Sequence, residues 1–187
     1  TEFSMKVFID GSSGTTGLRI RERLATQPGI ELINLPDSLR KDPSARRDAL
    51  NSCDTAVLCL PDAAARESVS LIENPAVRIL DTSTAHRTAD GWTYGFPELS
   101  PAQHEAVRAS RRVSVPGCHA SGFIALVYPL VAAGLLPETS LLSFSSITGY
   151  SGGGKAMIAD YEAVDRPEDR SAPRQYGLTQ QHKHLPE

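Results

Sequence analysis

The 187 residues carry a formal charge of −3, with 40% hydrophobic and 22% charged residues. These proportions are ordinary for a soluble globular chain, and the small negative charge supplies no basic field for nucleic acid or an anionic membrane. No apolar run reaches the roughly 18 residues of a transmembrane helix. Cys53, Cys59 and Cys118 form neither an even disulfide framework nor a C-x-x-C metal pattern, which points to a reducing compartment, the cytoplasm.

Residues 1–4 precede Met5 without the charged and apolar regions of a signal peptide, and read as an expression scar. Met5-Lys6-Val7-Phe8-Ile9-Asp10 is a short apolar strand. Gly11-Ser12-Ser13-Gly14-Thr15-Thr16-Gly17 follows at once, then a segment of helical composition from Leu18. Strand, glycine-rich turn and helix is the context in which such glycines cradle a pyrophosphate, with N–H donors from the helix start. The spacing is G-x-x-G-x-x-G rather than G-x-G-x-x-G, and an ordinary βα turn is the alternative. Ser12, Ser13, Thr15 and Thr16 add hydroxyl donors.

Residues 30–35 form the expected second strand. Asp37 beyond it suits the ribose 2′-OH of NAD, whereas Arg40 and Lys41 suit the 2′-phosphate of NADP; a solvated loop is the third reading. Residues 44–50 look helical, with Asp42 as cap and Pro43 at the first position. A buried strand is expected over 55–60, a helix capped at Asp62, and a further strand over 77–80. Alternating strands and helices at this spacing predict βαβ units in a parallel sheet, with ligands outside the carboxyl ends of the strands. Cys53 and Cys59 fall in or beside an apolar strand and read as inert.

Asp81-Thr82-Ser83-Thr84-Ala85-His86-Arg87 lies at that edge. Arg87 there suits phosphate or carboxylate recognition, against a solvated arginine; His86 reads as structural. The aromatic, proline-broken segment 92–99 is expected to line the cleft or pack beneath it. A short helix over 101–109 leads to strand 113–115.

Pro116-Gly117 then precedes Cys118, where a long apolar helix begins, with Pro129 inside it. A cysteine at a helix N-terminus is favoured as thiolate, a nucleophile whose oxyanion intermediates backbone N–H groups can hold. The alternative is a small buried hydrophobe. The apolar run over 123–131 predicts a buried helix, and 141–148 a strand. Gly149-Tyr150-Ser151-Gly152-Gly153-Gly154-Lys155 is a second glycine-rich loop, where the backbone can approach a ligand and Lys155 can pair with an anion; a plain connector is the alternative. Residues 160–173 read as loop. His182-Lys183-His184 is an H-x-H pattern without a third ligand cluster, so an acid/base near Cys118 is preferred to a metal site.

Six stretches in order now resemble one family: residues 7–17, 81–87, 94–99, 115–122, 149–155 and 182–187. The chain resembles the short branch of the N-acetyl-γ-glutamyl-phosphate reductases, within the semialdehyde dehydrogenases. The resemblance implies a Rossmann-type α/β domain with helices on both faces of a parallel sheet over residues 5–117. An α+β catalytic and dimerisation domain would start at 118–187 and continue in a longer chain. It implies NADPH-dependent reduction of N-acetylglutamyl 5-phosphate to the 5-semialdehyde with release of phosphate, a step of arginine biosynthesis, by a homo-oligomer, dimer or tetramer.

By the same resemblance Cys118 is the nucleophile and Gly11, Gly14 and Gly17 cradle the NADP(H) pyrophosphate. Arg87 faces the acyl phosphate, Ser151, Gly152 and Gly153 approach the nicotinamide, and the acid/base is His184 or His182. Aspartate-semialdehyde dehydrogenase chemistry is the runner-up. A non-catalytic nucleotide-binding module and a cysteine hydrolase are the readings from other classes.

Overall fold

The computed structural model describes residues 4–11, 15–179 and 181–187. Strands β1 (Met5–Asp10), β2 (Ile30–Ile33), β3 (Thr55–Leu58), β4 (Arg78–Asp81), β5 (Thr93–Tyr94) and β6 (Arg112–Ser114) form one sheet in the order β2-β1-β3-β4-β6-β5. Every pairing is parallel, with Val7 opposite Thr55, Thr55 opposite Arg78, and Ile79 opposite Arg112. The chain therefore has the parallel α/β sheet that its alternating pattern predicts.

Side-chain alternation divides β1 and β3 between two cores. Val7, Ile9 and Val57 point to one face, under Ile20 and Leu24 of helix α1 (Thr15–Ala25). Phe8, Ala56 and Leu58 point to the other. There they meet Ala49 and Leu50 of α2 (Pro43–Ser52) and Ala65 and Val69 of α3 (Asp62–Leu71). Both faces of the central strands are thus covered, which is why they read as unbroken apolar runs.

Local signals explain the helix starts. The Asp42 carboxylate accepts from the Ala45 N–H at 2.8 Å, with Pro43 in the first turn. Ser100 caps α4 (Pro101–Ala109) by accepting from the Gln103 N–H at 3.0 Å. Asp62 differs from expectation. It is the first residue of α3, Pro61 is the N-cap, and the Asp62 carboxylate instead accepts from the Thr84 N–H and hydroxyl. The tertiary partner outcompeted the local one.

Four further expectations need correction. The aromatic segment holds a short edge strand, β5, paired with β6. Helix α5 (Cys118–Ala132) is not buried: only Ala120 is, and Leu126 is 66% exposed. Phe123 meets Phe144 edge-on, but much of the remaining apolar surface is left open by the described residues, and composition cannot supply the covering element. Residues 141–148 are not a strand, and Leu141 and Ile147 are fully exposed. A strand needs a hydrogen-bonded neighbour, and none is paired with this segment among the described residues. Finally, the second glycine-rich segment forms a 3₁₀ turn (Tyr150–Gly153) running into helix α6 (Gly154–Glu162), whose last residues extend into the polar stretch read as loop.

One buried ionic cluster underlies the β1 exit. Arg46 of α2 donates to Asp10 from Nε at 3.3 Å and Nη2 at 3.1 Å, and its Nη2 also donates to Ser68 Oγ at 2.7 Å. Ser68 donates in turn to Asp10 at 2.8 Å. Asp10, Arg46 and Ser68 are all buried. Removing the cation would strand a buried carboxylate. Arg46→Ala in the full-length protein is therefore expected to lower unfolding stability by about 3–5 kcal/mol in urea titrations.

Candidate active site

The parallel topology brings four chain segments to one edge. β1 ends in Gly11, at φ +85°. A Cβ there would lie 2.3 Å from the Cys59 carbonyl oxygen, so glycine is required both by conformation and by the close approach of the β3 exit. Ser12, Ser13 and Gly14 lie outside the described residues, as does the Thr15 side chain. Thr16 and Gly17 sit in the first turn of α1, Gly17 buried. The strand order reverses direction between β1 and β3, the position where such sheets bind ligands.

Two clefts flank this point. One, of about 460 Å³, is lined by Asp10, Gly11, Asn34, Arg40, Lys41 and Arg46 among others. Arg40 Nη2 pairs with Asp37 Oδ1 at 2.8 Å, so the acidic and basic candidates for ribose recognition are joined to each other at its rim. The second, of about 500 Å³, runs from Thr16 over Val57, Leu80 and Thr82 to Val115, Pro116 and Cys118. This cleft connects the glycine-turn helix to the cysteine.

Cys118 is exposed and is the first residue of α5, with Gly117 as N-cap. Burial pushes the thiols of Cys53 and Cys59 up to about 11. Those two are inert on physical grounds, as their strand context suggests.

The β4 exit is rigid. The fully buried Asp81 carboxylate accepts from Ser83 N–H at 2.9 Å, Ser83 Oγ at 2.8 Å and His86 Nδ1 at 2.5 Å. His86 also stacks on Trp92 with ring centroids 4.2 Å apart, which makes it a structural histidine. Arg87 points inward: Nε donates to Val115 O at 3.0 Å, Nη2 to Thr82 O at 3.3 Å and Nη1 to Glu187 Oε1 at 2.6 Å. Its side chain is 9% exposed. A solvated arginine is thereby excluded, and its anion is a carboxylate of this chain.

The late histidines do reach this edge. A Cβ on Gly117 would lie 2.5 Å from His184 Nε2 and 2.6 Å from Arg87 Nη1. His119, His182 and His184 cluster, with ring centroids 4.5–5.7 Å apart. His182 has both nitrogens engaged: Nδ1 accepts from the His184 N–H at 3.2 Å and Nε2 lies 3.2 Å from Tyr176 OH. The buried Nδ1 of His184 has no hydrogen-bond partner among the described residues. Burial lowers His184 to about 4; Arg87 and His182 add to the shift and Glu187 opposes it. His119 Nδ1 meets Ser146 Oγ at 2.6 Å, tying segment 141–148 to the start of α5. No group of three or more ligand-type side chains among the described residues is arranged to hold a metal ion.

The second glycine segment stays apart. Ser151, Gly152, Gly153 and Lys155 are exposed. Hydrogen bonds of their lobe run inside it, from Tyr150 OH to Glu162 and from Arg170 to Asp160. Sequence reading missed Glu187 and Tyr94. The only signal was a carboxylate three residues beyond His184, across a tight turn in which the Glu187 N–H donates to His184 O.

Comparison with known proteins matches this arrangement. Residues 37–107 match the NAD binding domain of semialdehyde dehydrogenase, and residues 118–187 its dimerisation domain. An N-acetyl-gamma-glutamyl-phosphate reductase of Chelativorans sp. (strain BNC1) is 55% identical over 97% of this chain and 58% of its own length. Another of that name, from Burkholderia cenocepacia, is 50% identical with the same coverage. The chain thus spans about 58% of the length of these curated relatives. Among solved structures, aspartate semialdehyde dehydrogenase from Francisella tularensis superposes with a TM-score of 0.62 at 18% identity, over 84% of this chain and 48% of its own. The sheet order, the cleft that reaches Cys118 and these matches lead to one conclusion: the chain belongs to the semialdehyde dehydrogenase family.

Proposed function

We propose that this chain is the cofactor-binding and nucleophile-bearing part of an NADPH-dependent N-acetyl-γ-glutamyl-phosphate reductase acting in arginine biosynthesis. The observation that carries this reading is the cleft from Thr16 to Cys118, which joins the first turn of α1, the helix that follows the glycine-rich segment in sequence, to an exposed helix-start thiol. Substrate identity rests on the relatives named above. In this reading the first domain runs to Gly117 and the second begins at Cys118, a division supported by family matches that end at residue 107 and start at residue 118. The dimerisation match supports a homo-oligomer, and a cytoplasmic location suits a cysteine nucleophile.

The residues fit the cofactor. Gly11 to Gly17 would hold its pyrophosphate at the start of α1, and Arg40 with Lys41 at the rim of the 460 Å³ cleft would face a 2′-phosphate. Bound NADPH supplies the hydride. Cys118 sulfur attacks the acyl carbon; the C–S bond forms and the C–O bond to phosphate breaks, leaving a thioester. Reduction gives a thiohemiacetal, which releases the semialdehyde and the thiol.

His184 is the acid/base in this reading. Its ring lies against the residue before Cys118, its Nδ1 has no partner among the described residues, and it is neutral at physiological pH, so it can take the thiol proton and return it to the oxyanion. His182, held on both nitrogens, supports it. Of the two anion-binding candidates, Lys155 is exposed and Arg87 is committed to Glu187.

Three outcomes check this in the full-length protein. Cys118→Ser should abolish reductive turnover of N-acetylglutamyl phosphate while leaving NADPH affinity within about twofold of wild type, since it removes the covalent step alone. Preference for aspartyl phosphate would replace the substrate assignment. His184→Asn should lower kcat by about 10²- to 10⁴-fold and His182→Asn by much less. Because protonating His184 removes the base, activity assigned to it should fall only as pH drops towards about 4, placing the acid limb of kcat/KM well below 6.5. Replacing both Arg40 and Lys41 by Ala should weaken NADPH binding by about tenfold or more and leave NADH nearly unchanged.

A further inference from the structure

We propose that Glu187 is a positioning residue: with Arg87 and Tyr94 it forms a buried carboxylate clamp that holds the peptide before Cys118 and the imidazole of His184 as one rigid unit. The inference rests on the reductase reading for its kinetic consequences and on geometry for its existence.

The Glu187 side chain is 1% exposed. Its Oε1 accepts from Arg87 Nη1 at 2.6 Å, and its Oε2 accepts from Tyr94 OH and from the Gly117 N–H, both at 2.8 Å. Three donors from three separate parts of the chain converge on one carboxylate. Arg87 carries the linkage further, through Val115 O at the β6 exit and Thr82 O at the β4 exit. One ion pair therefore ties together the ends of β4, β5 and β6, the start of α5 and the terminal turn that bears His184.

The clamp supplies what Gly117 lacks. Glycine at an N-cap has no side chain to accept from a helix-start N–H, and α5 has no side-chain cap. The Glu187 carboxylate accepts from the Gly117 N–H and places negative charge at the positive end of the helix. Gly117 has an ordinary φ of −72°, so its requirement is one of space. A Cβ at this position would force the His184 ring and the Arg87 guanidinium out of their present places. A charge-assisted network of this kind fixes geometry, whereas its net contribution to stability is small, because burying both ions offsets their attraction.

Glu187 also acts on the histidine electrostatically, opposing the lowering caused by burial and Arg87. Tyr94, pushed up first by burial and then by its bond to Glu187, remains a donor.

A double-mutant cycle in the full-length protein tests the clamp. Glu187→Gln keeps the side-chain size, but its amide NH₂ must face either the Arg87 guanidinium or the Gly117 N–H. Glu187→Gln and Arg87→Met should each lower kcat by about 10- to 100-fold with the KM for NADPH changed by less than about twofold. The double variant should lose no more than the worse single one. Tyr94→Phe, which removes one donor with little change of volume, should give a smaller loss of the same kind. Iodoacetamide alkylation of Cys118 should change by about threefold or more in Glu187→Gln. Turnover of Glu187→Gln within about twofold of wild type, or losses that multiply in the double variant, would overturn the proposal and leave the reductase reading intact. If the wild-type protein has no reductase activity, that reading fails instead, and the alkylation rate alone decides: an unchanged rate in Glu187→Gln rejects the clamp.

Discussion

An all-parallel sheet delivers the carboxyl end of every strand to the same edge, and the rest of this molecule depends on that constraint. Gly11 leaves β1 there, Cys59 and Leu60 leave β3, Thr82 to Arg87 leave β4, and Val115 to Cys118 leave β6. Residues more than a hundred positions apart in the chain thereby share one cleft. The edge is also where backbone groups leave the ladder and need new partners. Leu58 O accepts from the Thr82 N–H at 3.0 Å and Asp10 O from the Cys59 N–H at 2.8 Å, so neighbouring exits hold one another.

Buried charge is concentrated at this edge. Asp10 is held by Arg46 and Ser68, Asp81 by Ser83 and His86, and Glu187 by Arg87, Tyr94 and Gly117. Each carboxylate has several donors, which is the condition under which burying it is tolerated. Each also locks a strand exit whose neighbouring backbone faces a cleft. The shared effect is preorganisation: the β1 exit at Gly11, the thiol and the imidazole are attached to one scaffold.

Charge and cover differ sharply on the two sides of Gly117. Up to β6 the two apolar cores lie between the sheet and its helices. Beyond it α5 exposes Leu126, Tyr128 and Leu130, and the following segment exposes Leu141, Phe144 and Ile147. That apolar surface belongs to the part of the chain matching a dimerisation domain. His119 and Ser146 join the segment to the candidate nucleophile's helix, so whatever covers this surface acts close to Cys118.

The sequence by itself determined the parallel α/β class, the cap at Asp42, and the placing of Cys118 at a helix start, because these are local or periodic properties of adjacent residues. It marked Gly11, Arg87 and the two late histidines as chemically significant. It could not show that residues 141–148 lack a strand partner, that α5 is open to solvent, or that Asp62 serves Thr84 in place of its own helix. Each depends on which distant group is at hand. Tertiary structure alone decided which late histidine has a ring nitrogen without a partner among the described residues, what anion Arg87 holds, and which side chains crowd Gly117. The physical reason is common to all three: the contacts join residues 87, 94, 117, 184 and 187, which only the folded sheet edge brings within hydrogen-bonding distance.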